Sequence, residues 1–444
     1  MKQKKMTAHN KHIAKIETLV SFLIAGLISF SGFSQQLDKT RLDAYLDTLA
    51  NNNRFMGSVA ISHNGEMLYT KTVGFIDVEQ GLKANENSKY RIASVTKTFT
   101  TVLIFKAIEE NKLKLNQTID KFFPAIKNAK RITISNLLNH SSGLPDILND
   151  NSFDWMQPTT EQEMIEIISK EGSEFNPGKK TSYSNTNFTV LTYILEKIYQ
   201  KSYSEILEEK IVRPIGLKNT YFGKKINVED NESKSYRHYG WVLQCETDIS
   251  ALMGAAGIVS TAVDLTQFSD ALFTGKLIST NSLEKMKSLK MGLFSVSFAG
   301  RTGFGHTGDR DGFRAFFAYF PDSKFSIAFT ANGLYRSNVS NVLLSAIYDK
   351  PFEIPEFKTY HVANEDLDKY TGVYTSKQHP WILTISKVKD MLIGQVSEKT
   401  DIVPLEPIDK DIFATEDIIF EFNPTNKTMI AKASDGTFNF VRND

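Results

Sequence analysis

The sequence predicts an α+β fold, an α/β sandwich in which one antiparallel sheet is flanked by helices and interrupted by an all-helical insertion. A small all-β domain follows at the C-terminus. Three observations support this: strand patterns occur at 57–74 and again at 313–330, helical patterns fill the segment between them, and short β-rich runs recur after residue 365. Strands at both ends of one segment can pair in a single sheet. The 444 residues, 41% of them hydrophobic, exceed one average domain.

The N-terminal 34 residues carry the features of a secretory signal. Five lysines and one glutamate precede an uncharged stretch, 18–34, that is rich in Leu, Ile and Phe. Small residues at Gly32 and Ser34 predict cleavage before Gln35. An uncleaved membrane anchor is the alternative, but about 16 apolar-rich residues fall short of the roughly 20 that span a bilayer. We therefore predict a signal peptide over 1–34 and a periplasmic or secreted mature chain that does not bind membranes.

The first domain is predicted to span residues 35–350. After a helical start at 41–49, the dipeptide Asn64-Gly65 joins two runs that alternate apolar and polar residues, which indicates a β-hairpin. Apolar residues at helical spacing predict a helix that begins at Ser94 and ends near residue 110. Further helical patterns lie at 134–138, 161–169, 188–199 and 262–273, strand patterns at 313–320 and 325–330, and a closing helix at 339–348.

The C-terminal part is predicted to be a separate small domain. Pro351 and Pro355 stand in a segment without a strong period, which predicts a linker over 351–364. From 365 to 444, short β-rich runs alternate with turn residues, a pattern typical of a small barrel or sandwich. These runs are 381–385, 391–394, 418–422 and 438–441.

The spacing of Ser94 and Lys97 suggests a nucleophile and its base. On a helix, residues three apart share one face, so the two side chains can share a proton. The same spacing recurs at 282–285 and 386–389. The former lies in a Lys-rich surface segment, and the latter in a predicted strand, where such residues point to opposite faces. Ser94 instead opens an apolar helix, whose N-terminal dipole favours a developing anion.

Two other motifs complete the set. Tyr183-Ser184-Asn185 precedes the helix that begins near residue 188, and among 16 tyrosines only Tyr183 is followed by this x-Asn pattern. His306-Thr307-Gly308 leads into the late strand pair. Either motif alone is more often structural, because a loop tyrosine or histidine is usually a packed ring with a satisfied polar atom.

Taken together and in this order, the three motifs resemble those of the serine β-lactamase and penicillin-binding protein family, within its class C-like branch. That branch includes DD-peptidases, D-aminopeptidases and esterases. The resemblance covers residues 40–350 and extends to Leu-Leu-Asn-His-Ser-Ser-Gly-Leu-Pro at 137–145 and to Gly-Ala-Ala-Gly-Ile-Val-Ser at 254–260.

The resemblance implies a role for each motif residue. Ser94 attacks a carbonyl and becomes acylated, while Lys97 and Tyr183 share the task of general base. Unperturbed lysine and tyrosine titrate near about 10.4 and about 10, so one pKa must be lowered by its surroundings. Asn185 would bind the amide carbonyl of the substrate, and His306 would relay a proton or complete the network around Tyr183.

The third motif also implies substrate contacts. By analogy, Thr307 and Gly308 line the substrate site, and the N–H groups of Ser94 and Asp309 form the oxyanion hole.

Two departures from the family bear on the substrate. His306 replaces the lysine of β-lactamases, a version found in peptidase and esterase members, and Asp309 places a carboxylate beside the oxyanion hole. That carboxylate either points away or repels anionic substrates.

Several classes are disfavoured. The 52 basic and 51 acidic residues nearly balance, unlike the basic surface of a nucleic-acid binder. The sequence has no Ser-Asp-Asn, so the class A arrangement with a glutamate base is not supported. It has no Gly-x-Ser-x-Gly, which counts against an α/β-hydrolase. It also has no His/Cys cluster with zinc spacing, so we predict no metal or other cofactor. The single cysteine, Cys245, permits no intrachain disulfide.

The sequence thus predicts an exported serine acyl hydrolase that acts on D-residue peptides or small esters, with cell-wall peptide among the candidate substrates. A class C-like β-lactamase is the alternative enzyme. A penicilloyl-accepting sensor or a binding module without turnover is the alternative from another class. The sequence does not determine the acyl donor or the oligomeric state.

Overall fold

The computed structural model describes residues 37–150, 152–357, 360–397 and 402–443, so the predicted signal peptide lies outside the described residues. The helices, labelled in chain order, are α1 Lys39–Asn51, α2 Thr96–Glu109, α3 Ile134–Leu138, α4 Glu161–Glu171, α5 Thr186–Tyr199, α6 Tyr203–Leu207, α7 Arg213–Ile215, α8 Ile249–Ala256, α9 Ala262–Phe273, α10 Thr280–Ser288 and α11 Val339–Ile347.

The strands fall into a first set up to residue 334 and a second set after residue 371. The first set is β1 Phe55–His63, β2 Glu66–Val73, β3 Phe75–Asp77, β4 Leu82–Lys83, β5 Tyr90–Arg91, β6 Tyr221–Phe222, β7 Tyr236–Arg237, β8 Val242–Leu243, β9 Ile258–Ser260, β10 Phe294–Phe298, β11 Arg301–Arg310, β12 Phe313–Phe320 and β13 Phe325–Leu334. The second set is β14 Gly372–Thr375, β15 Ile382–Val388, β16 Met391–Val396, β17 Ile402–Asp409, β18 Ile412–Ala414, β19 Ile419–Asn423, β20 Thr428–Ala433 and β21 Gly436–Asn443.

One six-stranded antiparallel sheet joins the two ends of the first domain. Its order is β10-β11-β12-β13-β1-β2, and Val59 of β1 lies opposite Phe329 of β13. The predicted pairing of early and late strands is therefore confirmed. The strand pattern predicted for 325–330 continues to residue 334, and β10 and β11 add an edge that the sequence patterns had not delimited.

Helices cover both faces of this sheet because alternate residues of a strand point to opposite sides. Phe317 of β12 packs into the core formed with α2, α5, α8 and α9, whereas its neighbour Phe316 packs with α1 and α11. The larger of these helical layers is the predicted insertion between the early and late strands. The predicted α+β sandwich is confirmed.

The C-terminal domain is a closed barrel rather than a sandwich. Strands β14 to β21 each pair with the next, and β21 returns to β14, with Tyr374 opposite Arg442. A 3₁₀ helix at Asn364–Tyr370 contributes Leu367 and Tyr370 to the barrel core. Closure removes the exposed sheet edges that would invite aggregation.

The segment between the two domains is packed rather than free. Residues 351–357 have no helix or strand, but Arg41 of α1 donates a hydrogen bond to the carbonyl of Phe352 at 2.6 Å. A buried, bidentate ion pair then joins the domains: the Arg54 guanidinium contacts both carboxylate oxygens of Glu406, with Nη1 2.9 Å from Oε2. The guanidinium also lies over the Phe357 ring, 4.8 Å from its centroid.

Within the described ranges, the helices are too short or too polar to cross a bilayer.

We expect Glu406→Gln to destabilise the protein by about 3–5 kcal/mol, because the substitution leaves the Arg54 charge buried without its carboxylate. Chemical denaturation of the full chain measures the change in the free energy of unfolding. Glu421→Gln is the matched control, since its ion pair with Lys432 lies on the exposed barrel surface and should contribute about 0–1 kcal/mol. Equal losses in the two variants would contradict the special role of the interdomain pair.

Candidate active site

Ser94 lies in a 3₁₀ turn, Ala93–Val95, and α2 begins only at Thr96. Ser94 therefore stands at the entry of the helix, as predicted, but two residues before its regular α-helical part. The residue before it, Ala93, is buried and has a φ of 47°, in the left-handed region that alanine disfavours. Such strain persists only where the surrounding structure enforces it. The turn sets the serine hydroxyl apart from the regular helix.

Lys97 lies one turn further on, and its amine is enclosed by oxygen atoms from three elements. Nζ is 3.0 Å from Ser94 Oγ, 2.6 Å from Asn185 Oδ1 and 2.9 Å from the carbonyl oxygen of Ala255. This carbonyl is available because α8 ends at Ala256, and the last carbonyls of a helix lack intrahelical partners.

Burial of the lysine side chain lowers its pKa to about 7, against an opposing attraction from Asp146. A substantial fraction of Lys97 is therefore neutral near pH 7. A neutral amine has two N–H donors and one lone pair. With Asn185 and Ala255 accepting both N–H groups, the lone pair is left for the hydroxyl proton of Ser94.

Tyr183 reaches the same hydroxyl from the loop before α5. Its phenolic O–H donates to Ser94 Oγ at 3.0 Å, and its ring lies 5.0 Å from Lys97 Nζ. Loss of water around the hydroxyl raises the pKa of Tyr183 above its ordinary value, and Asp146 adds to this effect. The tyrosine therefore stays protonated. The two proposed bases are not equivalent: the environment favours Lys97 as proton acceptor and Tyr183 as proton donor.

Asp146 is a site residue that the sequence analysis missed. Its Oδ1 accepts a hydrogen bond from the Asn185 backbone N–H at 3.1 Å, and its Oδ2 accepts one from Asn185 Nδ2 at 3.0 Å. These contacts fix the amide so that its oxygen faces Lys97. The only sequence signal was its position directly after the Gly-Leu-Pro of the 137–145 segment.

His140 supports Tyr183 from behind. Its ring stacks on the tyrosine ring, with centroids 4.4 Å apart, and Nδ1 accepts the Ser184 N–H at 3.1 Å. Burial, with a smaller contribution from Lys97, lowers the pKa of His140 to about 3, so the ring is neutral. A neutral ring with an unprotonated Nδ1 matches the hydrogen bond it accepts.

The third motif brings strand β11 against the nucleophile turn. A Cβ on Gly308 would lie 2.2 Å from the carbonyl oxygen of Ile92, so only glycine allows this approach. The following N–H, that of Asp309, is the one that family resemblance assigns to the oxyanion hole together with the N–H of Ser94. Thr307 is exposed on the same strand.

His306 is buried and only 3% exposed. Its Nδ1 lies 2.6 Å from the carbonyl oxygen of Thr307, and its ring packs against Phe294. Within the described part of the chain, Nε2 has no hydrogen-bond partner, so the structure does not join His306 directly to Tyr183. Burial, with a smaller contribution from Lys97, lowers its pKa to about 3, so it brings no positive charge where β-lactamases have a lysine.

The carboxylate of Asp309 is paired rather than free. Its Oδ1 accepts hydrogen bonds from Arg237, at 2.7 Å, and from Arg314 on the neighbouring strand. The side chain is half exposed, so this arrangement neutralises the charge more than it stabilises the fold.

The described residues contain no group of three or more His, Cys, Asp or Glu side chains that could hold a metal ion. Cys245 is exposed.

Several known proteins are similar to this chain. The family model described as Beta-lactamase matches residues 42–347. Penicillin-binding protein 4* of Bacillus subtilis is 24% identical over 357 residues, which cover 72% of this chain and 79% of that protein. Teichoic acid D-alanine hydrolase of Staphylococcus aureus is 28% identical over 253 residues, 56% of this chain. The match spans only 59% of that hydrolase's length.

Two solved structures share the fold. The octameric penicillin-binding protein homologue from Pyrococcus abyssi superposes with a TM-score of 0.62 at 22% identity, over 90% of this chain and 100% of that one. D-amino acid amidase from Ochrobactrum anthropi also gives a TM-score of 0.62, at 23% identity, over 69% of this chain and 98% of that one.

We expect kcat/KM for an activated ester to rise with pH and to reach half its plateau near pH 7, because Lys97 accepts a proton only when it is neutral. Below its pKa of about 7 the amine is protonated, so activity falls as pH falls. Lys97→Ala and Tyr183→Phe should each lower kcat by on the order of 10²-fold or more. Lys285→Ala, which removes the exposed lysine of another Ser-x-x-Lys pair, should change neither quantity. A wild-type profile that is flat from pH 5 to 9 would refute Lys97 as the base.

We expect Asp146→Asn to move the midpoint of that pH profile to lower pH and to reduce kcat. Loss of the negative charge removes the attraction that favours protonated Lys97, and Asn185 loses a carboxylate that fixes its amide. The pH profile separates this from general damage, which would lower kcat without moving the midpoint. Asp154→Asn, an exposed change in the same segment, serves as the control.

Proposed function

Because this chain belongs to the Beta-lactamase family, we propose that it is an exported serine acyl hydrolase that cleaves amides or esters of D-amino acid residues through a Ser94 acyl-enzyme. The observation that carries the proposal is the double contact on Ser94 Oγ, with Lys97 Nζ and the Tyr183 hydroxyl each at 3.0 Å. A structural serine has no need of a buried amine and a phenol on the same oxygen. The arrangement is that of an activated nucleophile.

The proposed reaction follows from these contacts. Neutral Lys97 takes the proton of Ser94 as Oγ attacks the carbonyl carbon, and the N–H groups of Ser94 and Asp309 stabilise the negative oxygen. Tyr183 protonates the departing amine or alcohol and regains a proton from Lys97. Water then hydrolyses the acyl-enzyme by the reverse of these proton transfers.

The charges around strand β11 favour a substrate without a carboxylate at the reacting end. His306 is neutral, and Arg237 and Arg314 both bind Asp309. Arg310 is itself paired with Asp311, with Nε 3.2 Å from Oδ1. Arg314 also lies 3.7 Å from Glu416, so these three arginines face three carboxylates. A β-lactam or a D-Ala-D-Ala terminus, by contrast, presents a carboxylate that needs a free cation. A D-aminoacyl ester or amide lacks that requirement, and the names of the teichoic acid D-alanine hydrolase and of the D-amino acid amidase point to the same class.

The second candidate is a class C-like β-lactamase, favoured by the same Ser94, Lys97 and Tyr183 geometry. A penicilloyl-accepting sensor without turnover is disfavoured because the positions for base and acid are filled.

We also propose that residues 1–34 direct export to the periplasm or cell exterior, where cell-wall polymers carry D-alanine. The catalytic domain is assigned to 35–350 and the barrel domain to 365–444.

We expect kcat/KM to be greater for a chromogenic D-alanyl ester or D-aminoacyl anilide than for the L-enantiomer, a D-Ala-D-Ala peptide or nitrocefin. All turnover should be lost in Ser94→Ala, which retains the wild-type melting temperature because the turn loses only a hydroxyl. Near-wild-type turnover by Ser94→Ala would refute the proposed nucleophile. Equal rates with both enantiomers would refute the D-residue assignment alone.

With penicillin we expect slow acylation of Ser94 and a lasting adduct. The opened ring stays tethered and hinders the hydrolytic water, so deacylation is slow while a small ester turns over many times. Intact-protein mass spectrometry of penicillin-treated enzyme, beside steady-state ester hydrolysis, measures both. Rapid multiple-turnover nitrocefin hydrolysis without a lasting adduct would rank the β-lactamase candidate first.

A further inference from the structure

Over its described residues, 360–397 and 402–443, the C-terminal barrel is filled at one end and open at the other. Near the 364–370 helix, Tyr370 packs edge-on against Phe413 and Phe422, with centroids 4.9 and 5.1 Å apart, and these buried rings close the interior. Toward the other end the interior contains a cavity of about 320 Å³. That volume lies at the lower end of the range for small-molecule pockets, about 300–1,000 Å³.

The cavity wall is apolar and its rim is polar. Aromatic and aliphatic side chains from all but the first and fifth strands of the barrel make up most of the wall, among them Leu383, Ile385, Val403, Leu405, Phe420 and Phe440. The charged lining residues are Arg237, Glu416 and Asp417, of which Arg237 comes from the catalytic domain. A wall of this kind suits an apolar body and disfavours a buried charge.

The space exists because small residues occupy inward-facing positions. A Cβ on Gly394 would meet Ile385 Cδ1 and Leu405 Cδ2 at 3.6 Å each, which is ordinary contact rather than a clash. Ala431 and Ala433 also line the cavity, two residues apart and therefore on the same face of β20. Larger side chains at these positions would fill the barrel, so stability alone does not account for the opening.

We propose that the open end of the barrel binds one small uncharged apolar molecule, with its body among the aromatic and aliphatic residues and any polar end at the rim. Eight-stranded barrels have interiors wide enough either to be filled by side chains or to hold one small ligand. This site is separate from Ser94 and goes beyond the proposed hydrolase activity.

The rim lies beside the catalytic domain. Arg237 lines the cavity and binds Asp309, the residue that follows Gly308. Arg314, which also binds Asp309, lies 3.7 Å from Glu416 of the rim. A ligand at the mouth would therefore contact side chains that hold the end of strand β11. The binding site and the active site are neighbours without sharing a reacting group.

The test is a fluorescence titration of the full-length mature protein with N-phenyl-1-naphthylamine, an uncharged apolar dye. We expect one dye to bind per chain in the wild type and in Ser94→Ala. Gly394→Leu, which fills the cavity, should weaken binding at least tenfold. Val441→Leu introduces the same side chain at an outward-facing position that is 55% exposed, and should leave the affinity unchanged.

A second filling variant, Ala433→Leu, keeps the test decisive if Gly394→Leu does not fold, as judged by cooperative thermal unfolding. Absence of dye binding in the wild type would overturn the proposal, as would unchanged affinity in a folded filling variant. Displacement of the dye from Ser94→Ala by an ester substrate at its KM would also overturn it, because the dye would then occupy the catalytic cleft. Loss of ester hydrolysis in the wild type would refute the proposed function while leaving the dye result intact.

Discussion

The buried amine of Lys97 is the interaction on which the rest of the site depends. An amine removed from water must find partners inside the protein, and here they come from the Ser94 turn, the loop before α5 and the end of α8. Each element is positioned by its own packing, so the hydrogen bonds of Lys97 depend on how the whole helical layer is packed. Asp146 and His140 extend this dependence, because one orients Asn185 and the other supports Tyr183. Neither has to touch a substrate to matter.

The central sheet provides the second half of the site. Its first and last strands pair in the middle, which carries β11 to a position beside the 3₁₀ turn that holds Ser94. Gly308 and the left-handed Ala93 are two sides of the same close approach. Strain of on the order of 1–3 kcal/mol at such a residue is tolerable only where rigid neighbours hold it. Ser94, the proposed nucleophile, is thus held by a long-range contact as well as by the helix that follows it.

Much of this could be predicted from the sequence, and the limits have physical causes. The fold class followed from periodicity, since strand and helix periods are local properties. The contact between Ser94 and Lys97 followed from spacing, whereas the positive φ of Ala93 could not be foreseen, because the turn packs against Gly308, more than 200 residues away. Asp146 and the carbonyl of Ala255 could not be identified, because their roles depend on which loops meet in three dimensions. Closure of the barrel likewise depends on pairing between β14 and β21, which neither strand encodes alone.

Asp309, the acidic residue beside the proposed oxyanion hole, is paired with two arginines. A free carboxylate there would raise the energy of a negatively charged intermediate, because the interaction between like charges grows as water is excluded. Arg237 and Arg314 both bind Asp309, so the local field at the strand end is no longer negative. The same pairing removes these arginines from substrate recognition and ties the strand to the barrel rim. Asp309 therefore links the strand end of the proposed oxyanion hole to the contact between the domains.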